Sequence, residues 1–367
     1  MPAFDLSKIQ SVKQTIHSDL IVSMSGATSA DLLSLGFNIL RGIENEDKII
    51  VYKGNRQMAT RYAVNQTSRS RLGTPYERVL KVTNDIVYVP DNVQNYREKI
   101  VGSMLGVSSN GLSTDNIELR LRLQAAQFGS HIIDNVFHGD KSKTINDYFG
   151  LYDGILVKIE NDKSEGLIDL ASGNLVNVGR LDTKDAKACY EAYVLFCEKM
   201  NSTLRKNCII VTNEKVYNAV VRGYALTFIG NQQNIIGAMG ANEFVSHETG
   251  GCKLRKTTLL GDGDGFIAYA PGNMDYGTDL TGAEDPNSAY ISIQADPSDF
   301  LNSILIGMQC ASATRVRDFN KEAFCISDYN FTAPSVVADK PEIVTSPNED
   351  IVKNLIKRIE ELEKASV

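Results

Sequence analysis

The amino-acid sequence predicts an α+β fold, on three observations. Residues 115–138 carry one helical pattern in which Leu121, Ala125, Phe128, Ile132 and Val136 recur at steps of three or four. Residues 48–52, 78–82 and 86–89 are short runs rich in valine, isoleucine and tyrosine, the composition of strands. Residues 208–212 read CIIVT, a compact apolar run between two amphipathic helical patterns, as expected of a buried strand.

The chain has 367 residues, room for two domains or for one domain with large excursions. A 43% hydrophobic fraction is enough for a sizeable core. The formal net charge of -7 argues against a protein that coats nucleic acid over its whole surface. No charged and then apolar stretch follows Met1, and no apolar run approaches the roughly 20 residues that span a bilayer. Neither secretion nor membrane insertion is expected. Cys189, Cys197, Cys208, Cys252, Cys310 and Cys325 show no CxxC and no metal-ligand spacing, so all six are expected to be reduced and structural.

Taken in order, residues 1–44 read as a helical arm. Ile9, Val12, Ile16, Leu20 and Met24 repeat at helical spacing, and a second short helix is expected over 32–40. The strands at 48–52 and 78–82 enclose a long polar excursion, 54–76. Across 53–81 stand Lys53, Arg56, Arg61, Arg69, Arg71, Arg78 and Lys81 against one acid, Glu77. A loop this long in a compact domain is usually functional or extended, and here the expectation is an arm lying on another molecule. A solvated loop is the plainer alternative. Nucleic-acid contact is a third, although no aromatic stacking pattern accompanies the arginines.

The 115–138 helix would span about 36 Å, with Asp115 as N-cap, Glu118 in capping-box position and Gly139 as a left-handed stop. Leu119, Ala126, Ile133 and Phe137 widen its apolar stripe. Strand-like and turn-rich sequence is expected from there to Arg180. A helix then begins near Asp182 or Thr183, burying Ala186, Cys189, Tyr190, Tyr193, Cys197 and Met200. Asn213 can cap the helix after the CIIVT strand. Residues 252–269 read as a hairpin around Gly261-Asp262-Gly263-Asp264-Gly265, and 289–294 as a strand. Pro334, Pro341 and Pro347 mark a linker. Ser346, Pro347 and Glu349 then open a last helix seamed by Val352, Leu355, Ile359 and Leu362.

Catalytic and metal chemistry find little support. GDGDG lacks the further ligands and the terminal glutamate of a calcium loop, and reads better as a glycine-rich turn. His131 and His138 stand seven apart with no partner at ligand spacing. No GxxxxGK[ST] and no HExxH occurs. No catalytic residue, metal site, cofactor or small-molecule substrate is expected.

The order of parts resembles the major capsid proteins of tailed bacteriophages, whose fold is shared with encapsulin shells. IDNVFHGD (133–140) looks like the end of that family's spine helix, and Gly154-Ile155-Leu156 like the glycine-plus-apolar strand that follows, although Tyr152-Asp153 stands where a proline is usual. Residues 182–200 with CIIVTNEKVYNAVV resemble the axial-domain helix, strand and next helix. GCKLRKTTLLGDGDGFIAYAPGNMDYG resembles the hairpin near the capsomer axis. AYISIQADPSD and NKEAFCISD look like closing strands of the peripheral domain. The resemblance implies the phage major capsid fold, with an N-terminal arm (1–44), an extended hairpin loop (45–92) and a peripheral domain with spine helix (93–180). An axial domain (181–285), return strands of the peripheral domain (286–335), and a linker with C-terminal helix (336–367) complete it.

The resemblance also implies a structural protein that self-assembles into hexamers and pentamers of an icosahedral head enclosing double-stranded DNA. Portal, scaffold and decoration proteins would be further partners. It would be assembled in a bacterial host cytoplasm and located in the virion. An encapsulin-like compartment shell and, at greater distance, a soluble α+β enzyme remain alternatives. Charge suggests where subunits meet, because residues 243–299 hold ten acids against Lys253, Arg255 and Lys256. The expected intersubunit set is Arg56, Arg61, Arg69, Arg71 and Arg78 with Asp275, Asp279, Glu284 and Asp285. Arginines facing packaged DNA are the competing idea.

Overall fold

The five apolar residues of the N-terminal repeat are all buried, but on two short helices, α1 (Ser7–Thr15) and α2 (His17–Met24), which meet at Ile16. The computed structural model describes residues 6–26, 30–54, 73–92, 114–144, 146–228, 239–240, 243–282, 284–285, 288, 290–296 and 303–334. Residues Met1–Ala333 form one compact unit and Pro334–Val367 a second. The expected linker and C-terminal helix at 336–367 lie outside the described residues, as does most of the basic excursion.

Helix α3 (Ala30–Leu35) is shorter than the 32–40 expected. Gly36, at φ +75, stops it: the Phe37 amide reaches the Leu32 carbonyl at 3.1 Å and the Gly36 amide reaches Leu33 at 3.0 Å. That is a Schellman ending, which a left-handed glycine makes easy. The next residues form β1 (Asn38–Arg41), parallel to β11 (Met274–Thr278).

β2 (Glu46–Gly54) and β3 (Gly73–Lys81) pair antiparallel along their whole length as a separate two-stranded ribbon. β4 (Thr83–Asn92) instead lies along β13 (Ser303–Val316), the longest strand, which also pairs with β11 and with β12 (Ile291–Ala295). Helix α4 (Thr114–His138) covers this sheet. Its predicted stripe of Leu121, Ala125, Phe128, Ile132 and Val136 is buried throughout. Ile133 and Phe137 widen it as expected, whereas Leu119 and Ala126 are exposed. The long helix also receives α1 and α2, so the arm's described part docks on its own chain.

Both ends of α4 differ from expectation. It begins at Thr114, so Asp115 is its second residue and not the one before it. Gly139 is not left-handed; it is a close-approach residue, because a Cβ there would come within 2.2 Å of the Tyr152 carbonyl oxygen. The Gly154 amide bonds the Gly139 carbonyl at 2.8 Å and fixes this crossing. Gly154 then caps a helix, α5 (Ile155–Ser164), where strand-like sequence was expected. Ile155, Leu156 and Ile159 meet the core at helical spacing, a pattern too short to separate from a strand in sequence.

A second core gathers on another sheet, of order β5-β14-β10-β6-β9-β8-β7. Its strands are β5 (Leu175–Val176), β6 (Ile209–Asn213), β7 (Met239–Gly240), β8 (Glu243–Phe244), β9 (Lys253–Thr257), β10 (Ile267–Tyr269) and β14 (Phe324–Ser327). α6 (Ala186–Lys199) and α8 (Glu214–Thr227) pack together here, with α7 (Ser202–Arg205) as a short link. Asp185 caps α6, accepting from the Ala188 amide at 3.1 Å, so this helix starts later than expected. Asn213 caps α8 as predicted, accepting from Val216 at 2.9 Å. The 252–269 hairpin is not formed: β9 and β10 lie on opposite edges of β6, since CIIVT is the most apolar strand available to occupy the centre. Three segments change sheets relative to the expected boundaries, β11 joining the α4 sheet and β5 and β14 the second one.

All six cysteines are buried free thiols, as expected. His131 donates from Nε2 to the Tyr148 carbonyl (2.8 Å) and His138 to the Leu260 carbonyl (3.0 Å), which gives both a structural role. In GDGDG, Asp264 accepts from the Leu181 amide and pairs with Arg180, which makes the motif a tie between loops.

Candidate assembly surface

Alternation along β2 leaves one face of the ribbon in water: Glu46, Lys48, Ile50 and Tyr52 point outward. Ile50 is 66% and Tyr52 42% exposed. On β4 the same period of two exposes Ile86 and Tyr88, each at 55%, while Val87 packs against the core. A two-stranded ribbon is marginal in isolation. It therefore needs an anchor, and a charged one is present.

Arg315 supplies it from β13. Its guanidinium donates to Asp275 from Nε (2.9 Å) and Nη2 (2.6 Å), and to Asp47 of β2 through both the carboxylate (2.7 Å) and the carbonyl (3.0 Å). Arg317 and Asn38 bond the other Asp275 oxygen at 2.6 and 3.0 Å. On β3, Arg78 grips Asp162 of α5 with two bonds, 2.7 and 3.1 Å, and stacks over Phe319 at 4.3 Å. Asn320 donates to the Tyr52 carbonyl at 3.1 Å. Ties from Asp47 to Tyr52 on β2 and at Arg78 on β3 thus hold both strands of the ribbon to the body.

This geometry redistributes the expected intersubunit set. Arg56, Arg61, Arg69 and Arg71 lie outside the described residues. Arg78 and Asp275 belong to the anchor and are satisfied within the subunit, so neither is open to a neighbour; Asp275 is fully buried. Asp279 accepts from the Ala311 amide at 2.7 Å. Asp279 and Glu284 are both half-buried, and Glu284 and Asp285 stand on the loop after β11. Glu284 is occupied locally by the Thr281 hydroxyl (2.9 Å) and the Gly282 amide (3.0 Å), and Asp285 is exposed.

Sequence reasoning overlooked Arg315, Arg317 and Asp162. A signal existed for the first two. Thr314-Arg315-Val316-Arg317 puts two arginines on one face of a strand whose preceding residues are small or apolar, and a charge facing a core demands a partner. Asp162 gave none, because its helix was not foreseen.

No family model matches the sequence, and no curated relative does. Solved structures do. The capsid of the empty GTA particle is similar at 13% identity over 82% of this chain and 96% of that chain, with a TM-score of 0.50. The satellite phage P4 procapsid, solved with its size determination protein, gives 12% identity, 86% and 90% coverage and a TM-score of 0.47. A virus-like particle from Pyrococcus furiosus gives 10%, 88%, 98% and 0.38. The likeness to the GTA capsid is one of fold: the chain has the phage major capsid fold, mixing helices and sheets.

Proposed function

We propose that this protein is a structural, non-enzymatic capsid subunit that self-assembles into hexamers and pentamers of an icosahedral head around double-stranded DNA. The observation that carries this reading is the anchored ribbon. A capsid-type fold ties a two-stranded arm to its body and leaves Ile50 and Tyr52 in water on it. Fold alone does not assign function. An exposed apolar face on a fixed arm does suggest a partner, and in a closed shell that partner is the next copy of the same chain.

Burying each such side chain contributes about 1.5–3 kcal/mol, and a ring repeats the contact at every interface. The basic stretch with Arg56, Arg61, Arg69 and Arg71 extends the same arm in sequence, and the β11–β12 loop of a neighbour, with Glu284 and Asp285, is the acidic surface this reading pairs with it. Portal, scaffold and decoration proteins are the further partners this reading carries, with assembly in a bacterial cytoplasm. Among the described residues, no helix is long and apolar enough to cross a membrane.

Negative-stain electron microscopy of the purified protein tests the reading. Shells or capsomer rings are expected for the wild type, and soluble folded subunits for Ile50→Glu combined with Tyr52→Glu. A wild type that stays monomeric at high concentration overturns it. Particles that retain protein cargo and never DNA would indicate a compartment instead.

A further inference from the structure

His17 opens α2 with only 3% of its surface exposed, and neither ring nitrogen has a hydrogen-bond partner among the described residues. A buried imidazole in that condition is tolerable only when neutral, since its charged form needs an acceptor for each N–H. Its surroundings are charged. Lys13 lies one turn earlier on α1 and donates to the Ile291 carbonyl of β12 at 3.0 Å. Glu284 and Asp285 of the β11–β12 loop act on the His17 ring through their charge. A methyl group at Gly282 of that loop would touch Val22 of α2 at 3.5 Å, so loop and helix are in contact. On α4, the charged neighbour of α2 is Arg122, bonded to Asp19 at 2.8 Å on the exposed side.

We propose that His17 makes docking of the N-terminal helices acid-sensitive: protonating its imidazole, beside the Lys13 ammonium and with no acceptor among the described residues, releases α1 and α2 from the β11–β12 loop and from α4. Burial first and Lys13 second hold His17 below the ordinary imidazole value, against the pull of Glu284 and Asp285. The folded state therefore favours the neutral ring. Its contribution to docking is complete above about pH 6.5 and is lost as pH falls through the lower folded value. The Asp19–Arg122 pair ties α2 to α4 on the exposed side without involving the ring. Release therefore begins at His17 and not along the whole arm. The inference is independent of any shell.

Amide hydrogen exchange on the full-length protein, at about pH 7.5 and about pH 5 and corrected for intrinsic chemistry, is the test. Peptides covering residues 7–24 should lose protection by roughly tenfold at the lower pH, while those in β6 and β13 do not. His17→Met should abolish the change. A wild type equally protected at both values, or a variant showing the same loss, overturns the proposal. Should His17→Met not fold, His17→Gln takes its place. In either case NMR titration of the four histidines decides directly: a His17 ring that titrates at or above about 6.5 sinks the idea.

Discussion

Arg315 and Asp275 are direct partners in the antiparallel register of β13 and β11, and their charged groups meet at 2.6 Å with both residues closed to water. Removing one partner leaves the other buried and uncompensated, typically at about 3–5 kcal/mol. Asp275→Ala should cost that much and should also free Arg317. Arg315→Met together with Asp275→Leu should cost clearly less than the two single changes added, measured by denaturant unfolding. Simple additivity would mean that the two residues do not act as a pair.

Gly129 sits where α2 crosses α4, and a Cβ there would lie 2.1 Å from the Ser23 carbonyl oxygen. Gly129→Ala should push α2 off the long helix, at about 1–3 kcal/mol. Ser130→Ala, one residue along on the exposed side, should stay within about 0.5 kcal/mol. Equal midpoints for the two variants would show that the helices do not cross this closely.

Asp85 of β4 is 4% exposed, and its Oδ2 has no hydrogen-bond partner among the described residues. Burial, and after it Asp279, pushes its carboxyl up to about 7. A raised folded value means that the protonated form fits the fold. The stabilising contribution is whole below about pH 4 and lost as pH climbs towards 7. Asp85→Asn keeps the neutral shape and should flatten that slope, leaving the variant more stable than wild type above pH 7. At about 1.4 kcal/mol per pH unit the gain is a few kcal/mol. Parallel stability curves for the two proteins would place Asp85's titration elsewhere.

Reversing Arg61, Arg69 and Arg71 to glutamate should impair capsomer or shell formation while leaving the circular dichroism of the subunit unchanged. Single exposed pairs contribute only about 0.2–1 kcal/mol, so they bias orientation and register more than affinity. High salt should weaken wild-type assembly in the same direction. Normal empty shells that lose only DNA retention would assign these arginines to the packaged genome.

Elements that bury a periodic face were legible in the sequence. The α4 stripe, the α6 stripe, the CIIVT strand and the Asn213 cap all lie where their patterns place them. Pairing was less legible, because a local apolar pattern cannot say which strand lies beside which. β9 and β10 looked like a hairpin, yet β6 separates them. Which charged residues lie at the surface was illegible for a related reason. Arg78 and Asp275 read as exposed simply because they are charged, whereas burial with a partner depends on a strand more than 200 residues away in Arg78's case: its Nε reaches the Val316 carbonyl at a separation of 238.

The three-way pairing of β13 sets an order of events during synthesis. Asn38 bonds Asp275 across 237 residues, and Tyr276 bonds the Ser25 carbonyl across 251. At about 5–20 residues per second, the first forty residues leave the ribosome roughly 12–47 s before their partner strand does. During that interval α1, α2 and the α4 stripe have no sheet to cover them, which is the situation in which chaperones bind nascent chains. The β2 strand of the ribbon is held through Arg315, so that part of its anchor forms only once β13 has emerged, after the Arg78–Asp162 pair. The arm proposed to engage neighbours is thus fully fixed only late in translation.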